Sequence, residues 1–102
     1  MRSSEIERAF SKGRPLHGER VVLFVAPGSG GTAVVATRRV GGAVVRNRAR
    51  RILSAAWRVI EPGIIDGYDI VLVARQGIRG AKTQDLVAEM TELLRRAEVA
   101  RP

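Results

Sequence analysis

The chain of 102 residues has no cysteine, which removes disulfide frameworks and thiolate metal sites from consideration. Its one histidine, His17, has no paired carboxylate nearby, so no metal ligand set or general base is expected there. Long apolar runs are also missing. Stretches such as Ile70 to Ala74 fall far short of the ~20 residues that span a bilayer. Met1 leads into Ser4, Glu5 and Glu7 rather than into an apolar segment of signal-peptide type. The expectation is a soluble, cytoplasmic protein with no membrane partner. Length predicts one domain, 1–102, burying about 65% of the surface its unfolded form exposes, enough to fold without staples.

The most telling absence is of acid. From Arg20 to Ile60 there are eight arginines (20, 38, 39, 46, 48, 50, 51 and 58) and no Asp or Glu, while the remainder holds ten basic and ten acidic side chains. The entire net charge of +8 therefore sits in one window. A surface that only needed solubility would mix both signs, so the pattern points to a polyanionic partner.

Element signals run through the whole chain. Ser4 and Glu7 have capping-box spacing, and Ile6, Ala9 and Phe10 share a face before Gly13, which predicts a helix over 4–12. Val21 to Ala26 is a β-branched apolar run, Pro27 to Gly31 a turn cluster, and Thr32 to Val40 a second extended segment, together predicting an antiparallel hairpin. Arg14 to His17 can add a third strand, and spacing alone leaves that number open. From Val45 the period changes to 3.6: Val45, Ala49, Ile52, Leu53, Ala56, Trp57 and Ile60 form a packing stripe ending before Pro62-Gly63. Arg48, Arg51 and Arg58 project away from that stripe, and Arg50 flanks it. Asp69 to Arg75 is nearly continuous apolar sequence, which predicts a central strand. Thr83 and Asp85 open a last helix with a core stripe of Leu86, Val87, Met90, Leu93, Leu94 and Ala97, and a frayed end is expected over 99–102.

Catalytic constellations are weak. Gly28-Ser29-Gly30-Gly31-Thr32-Ala33 fits G-x-G-x-x-A, but strand-like residues follow where a dinucleotide site needs a helix, so a plain turn is predicted. Asp66 and Asp69 flank a turn into a strand. Nothing assembles an acid, a base and a nucleophile, so no catalytic residue, metal ligand or organic cofactor is expected in the protein. By contrast Arg46, Arg48, Arg50 and Arg51 lie within six positions, where they repel one another by several tenths of a kcal/mol per helical neighbour pair, a cost that anticipates an anion. Gly41-Gly42 permits close backbone approach, and Asn47 adds a donor and an acceptor among the arginines. The small residues Ala49 and Ala56 suit packing on a sheet rather than insertion into lipid. The residues alone predict a phosphate-binding helix and leave DNA and RNA open as partners.

The run Arg39-Val40-Gly41-Gly42-Ala43-Val44-Val45-Arg46-Asn47-Arg48-Ala49-Arg50-Arg51 closely resembles the signature of the bacterial ribonuclease P protein subunit family. Phe10, Gly13 and the strand 69–75 fall where that family has the end of its first helix and its last strand. The resemblance implies an α+β fold, a single-domain α/β sandwich in the order α-β-β-β-α-β-α. It also implies an unusual, ribosomal-protein domain-like, left-handed β-α-β crossover, where general rules favour the right hand. It further implies an accessory subunit of an endoribonuclease whose chemistry belongs to a catalytic RNA and the magnesium that RNA binds. The expected partners are that RNA and precursor transfer RNA, with no obligate protein partner. Arg46, Asn47, Arg48, Arg50 and Arg51 are then expected to face the catalytic RNA, joined by Arg38, Arg39 and Arg58. Ile6, Phe10, Phe24, Val35 and Thr37 are expected to line a cleft for the single-stranded 5′ leader, where bases stack at about 1 to 3 kcal/mol each.

Three departures from the family pattern stand out. Ile6 replaces a common phenylalanine, Met1-Arg2-Ser3 is a shortened basic lead-in, and Ser54 replaces a frequent arginine. They predict weaker leader affinity. A ribosomal or other structural RNA-binding protein, and a small nucleotide-binding enzyme using 28–33, are the competing readings.

Overall fold

The computed structural model describes residues 1–100; Arg101 and Pro102, part of the predicted frayed end, lie outside the described residues. The elements are α1 (Ser3–Lys12), β1 (Arg14–His17), β2 (Val21–Pro27), β3 (Thr32–Val35), α2 (Ala43–Ile60), β4 (Tyr68–Ala74) and α3 (Thr83–Arg96), with short 3-10 turns at Glu61–Gly63 and Gln76–Ile78. The expected order α-β-β-β-α-β-α is present, and Arg14–His17 is the third strand before α2.

One four-stranded sheet has the order β1-β2-β4-β3, antiparallel except for the parallel pair β3 and β4. The predicted hairpin is therefore corrected: β2 and β3 do not pair, because β4 lies between them. Val71 and Leu72 are fully buried, and a strand apolar on both faces gains most from an interior place with a neighbour on each edge. The loop after β2 consequently crosses the start of β4 instead of turning back. Asp69, 6% exposed, accepts from the N–H groups of Gly30 (3.1 Å) and Gly31 (2.8 Å) and fastens the loop there. The main chain completes the crossing, with Gly28 N–H donating to the Gly67 carbonyl and Ile70 N–H to that of Gly31.

Alternation along β2 and β4 builds two unequal cores. Val21, Leu23, Val25, Ile70, Leu72 and Ala74 face α2 and α3. That face buries Ala49, Leu53, Ala56 and Trp57 of α2 with Leu86, Met90, Leu93 and Leu94 of α3, matching both predicted stripes. Each fully buried Leu contributes about 1.5–3 kcal/mol. The other face is smaller: Ala9, Ala26 and Val71 are buried, with Ile6, Phe24, Ala33, Val35 and Val73 packed around them. Among the described residues, the ten-residue α1 is the helix that covers it.

Helix ends differ from expectation in two places. The cap of α1 falls on Arg2, two residues before the expected Ser4, so Glu5 rather than Glu7 stands three residues past the cap and accepts from the Arg2 N–H at 3.3 Å. Val99 is not frayed: it is 3% exposed, donates to the Leu94 carbonyl and accepts from Ile65 N–H, and Ala100 bridges to Ile64. Leu94 and Val99 pack together in a C-terminal cap that holds Glu98 at φ 61°. On the last turn, the hydrogen bond from Arg95 holds the Glu92 carboxyl below its ordinary pKa, with Arg96 adding to the effect. Among the described residues no helix is long and apolar enough to cross a membrane.

Candidate nucleic-acid interface

The arginine helix is aimed by the turn before it. Val40, 1% exposed, anchors that turn in the core, and Val40 and Gly41 N–H groups donate to the Thr37 and Arg38 carbonyls. Gly41 adopts φ 150°, a conformation suited to glycine. Gly42 is extended, and a Cβ there would meet nothing within 4 Å, so its surroundings are open. α2 starts without a side-chain cap and without an acid in its first turn. Its first N–H groups and the positive end of its dipole are thus left beside the arginines, an arrangement favourable to anions.

The predicted arginines separate by environment. Arg51 and Arg58 are exposed and, with Arg50 and Ser54, line a shallow depression of about 390 Å³. Arg50 is braced by the Asn47 side-chain oxygen (3.0 Å) and the Ala36 carbonyl (3.3 Å), which fixes Asn47 as an acceptor toward its neighbour. Arg48 is half-buried and donates to the Ala81 carbonyl, at 2.6 Å, in the loop before α3. Arg46 is half-buried with its Nε unpartnered. Glu61, just past the helix, accepts from Trp57 Nε1 at 2.6 Å and, among the described residues, forms no ion pair with these arginines.

Arg38 and Arg39 lie elsewhere. Both are exposed and line an open groove of about 960 Å³ together with Glu19, Thr37, Val73, Ala74, Arg75, Gln76 and Gly77. Val73 also packs in the small core beneath α1, so this groove continues the sheet face of the predicted cleft. In that cleft Phe10 and Phe24 meet edge to face, ring centroids 4.9 Å apart, with Phe10 42% exposed. Ile6, Phe24 and Val35 pack there against Ala9, Ala26 and Val71, and Thr37 lines the adjoining groove. Sequence reasoning missed Arg75, Gln76 and Glu19 in this groove. Arg75 reads as a strand end, and only the fold brings it beside Arg39.

The competing nucleotide loop loses its donors, because Asp69 occupies the Gly30 and Gly31 N–H groups and β3 follows where a helix is required. Among the described residues no three His, Cys, Asp or Glu side chains gather into a group that could hold a metal ion.

An acid-free arginine face on one side of a mixed sheet, with a half-covered aromatic cleft on the other, defines a polyanion-binding α+β protein. Comparison with known proteins narrows this class. The family model for Ribonuclease P matches residues 1–98. The Ribonuclease P protein component of Chloroflexus aurantiacus is 38% identical over 100 residues, covering 94% of this chain and 74% of that protein. That of Symbiobacterium thermophilum is 35% identical over 95 residues, covering 89% and 83%. Among solved structures, the Staphylococcus aureus RNase P protein superposes with a TM-score of 0.81 at 20% identity, over 99% of this chain and 95% of that one. The Thermotoga maritima RNase P protein gives 0.79 at 22% identity, over 94% of each chain. The chain belongs to the ribonuclease P protein family.

Proposed function

We propose that the protein acts as the accessory subunit of ribonuclease P, holding the catalytic RNA on the outer face of α2 and the 5′ leader of precursor transfer RNA against the sheet beneath α1. The observation that carries this reading is the division of labour between the two sheet faces. Phosphate-seeking guanidinium groups crowd one, and a half-exposed Phe10 over Phe24 marks the other. Cleavage chemistry belongs to the RNA and its magnesium; the protein's arginines offset phosphate repulsion and thereby ease the magnesium requirement. The reaction is cytoplasmic hydrolysis that removes the leader and leaves the mature 5′ end. A ribosomal-type role would leave the aromatic cleft without a ligand.

The test is differential affinity. The reconstituted RNA–protein complex should bind a precursor transfer RNA more tightly than the mature form, and the gap should shrink when the leader is shortened. Equal affinity for both forms would remove the leader from the account.

A further inference from the structure

The groove that continues the cleft contains one group that phosphate binding does not explain. Glu19 is the only carboxylate among its lining residues, beside Arg38, Arg39 and Arg75. It is exposed and, among the described residues, forms no ion pair with them. A free carboxylate among arginines repels a phosphate backbone and lowers its affinity.

Its placement is nevertheless fixed from several sides. The Glu89 carboxylate accepts from Arg20 N–H (2.9 Å) and Val21 N–H (3.1 Å), immediately after Glu19. Arg75 donates through its N–H to the Arg20 carbonyl and through its guanidinium to the Gly18 carbonyl at 2.7 Å, immediately before it. Gly77 lies so close to the Glu19 carbonyl that a Cβ would come within 2.5 Å. A turn whose main chain is held on both sides thus places Glu19, an acceptor, on the lining of a groove whose other charged groups are donors.

Resting on the proposed function, we propose that Glu19 reads a base in the leader, accepting from N1–H and N2–H of an unpaired guanine while the arginines hold flanking phosphates. Guanine alone offers two adjacent donors on its Watson–Crick edge. Adenine and cytosine set one amino group beside an acceptor, and uracil sets one N–H between two carbonyls. Single-stranded RNA exposes these edges, and a two-bond match discriminates strongly against the other bases.

The experiment measures affinity of the reconstituted complex for precursors carrying each of the four bases at each leader position in turn. Guanine should be favoured by about tenfold at one position. Glu19→Ala should flatten that preference. Glu19→Gln should move it to adenine or cytosine, whose donor and acceptor match an amide. Glu19 is exposed, so both variants should keep the thermal midpoint of the parent. An unchanged ranking in both variants, or equal tightening for all four bases, would overturn base reading and leave only charge repulsion. If leader-dependent affinity persists in either case, the proposed function stands without it; if the parent shows no leader dependence, both fall.

Discussion

At the scale of single residues, similar arginines divide into different tasks. Arg46→Ala should weaken binding to the catalytic RNA and lower the slope of log affinity against log salt by up to ~0.7–0.9 for the lost phosphate contact. Its thermal midpoint should stay near the parent's. Arg48→Ala should also destabilise the free protein, by about 1.5–3 kcal/mol, because a charged donor bonded to the Ala81 carbonyl is removed. Denaturant unfolding separates the two; equal stability of both variants would contradict the tether. The aromatic pair should divide in the same manner. Phe10→Ala should reduce affinity for precursor more than for mature transfer RNA at little cost in stability, while Phe24→Ala should reduce both affinity and stability, because Phe24 is packed in the small core. Parallel losses in the two variants would mean that Phe10 serves packing alone. The arginine face was legible in the sequence because helical spacing separates it from the core stripe. Tethering of Arg48 was not, since its acceptor is a main-chain carbonyl in a loop that no side-chain pattern marks.

At the scale of elements, caps and strand partners are the weakest part of the sequence signal. A capping carboxylate was expected on α1, and one is present, but Glu5 supplies it, because the cap falls on Arg2, two residues before Ser4. The end of α3 puts Glu98 where glycine is preferred. Glu98→Gly should therefore stabilise the protein by about 1 kcal/mol, raising the thermal midpoint by about 4–8 °C. A lower midpoint would show that the Glu98 side chain offsets its backbone strain. On the same turn, Glu92 has a pKa lowered by Arg95 and Arg96. Such a group contributes stability above its unfolded pKa and loses it as pH falls through the folded value. Glu92→Gln should thus shallow the acid limb of stability against pH slightly, most visibly at low salt, where exposed pairs are least screened. An acid limb identical to the parent's would mean that the pair contributes nothing. Strand positions and the burial of β4 followed from apolar runs. Pairing did not, because alternation fixes which face a residue takes and is silent on which strand lies beside it; the contact at the crossing, Asp69 with the Gly30 and Gly31 N–H groups, joins residues nearly forty positions apart.

At the scale of the whole molecule, the acid-free window becomes a surface split by the sheet. Its helical part, on α2, faces away from the larger core, while Arg38 and Arg39 turn into the groove that continues the α1 face. Under the proposed function, the two RNA ligands would be bound on different sides without competing for the same cations. Composition foretold the polyanion and the signature foretold the family, but the joining of Thr37, Arg39 and Arg75 in one groove arises only when β3 and β4 run parallel. Under the proposed function, this protein serves an RNA that does the cutting. The most direct measurement is cleavage of a 5′-labelled precursor transfer RNA at low magnesium by the cognate ribonuclease P RNA, with the protein, without it, and with the protein alone. Release of a single leader fragment only in the mixture is the predicted result. Cleavage by the protein alone, or no stimulation of an RNA that is active at high magnesium, would contradict it.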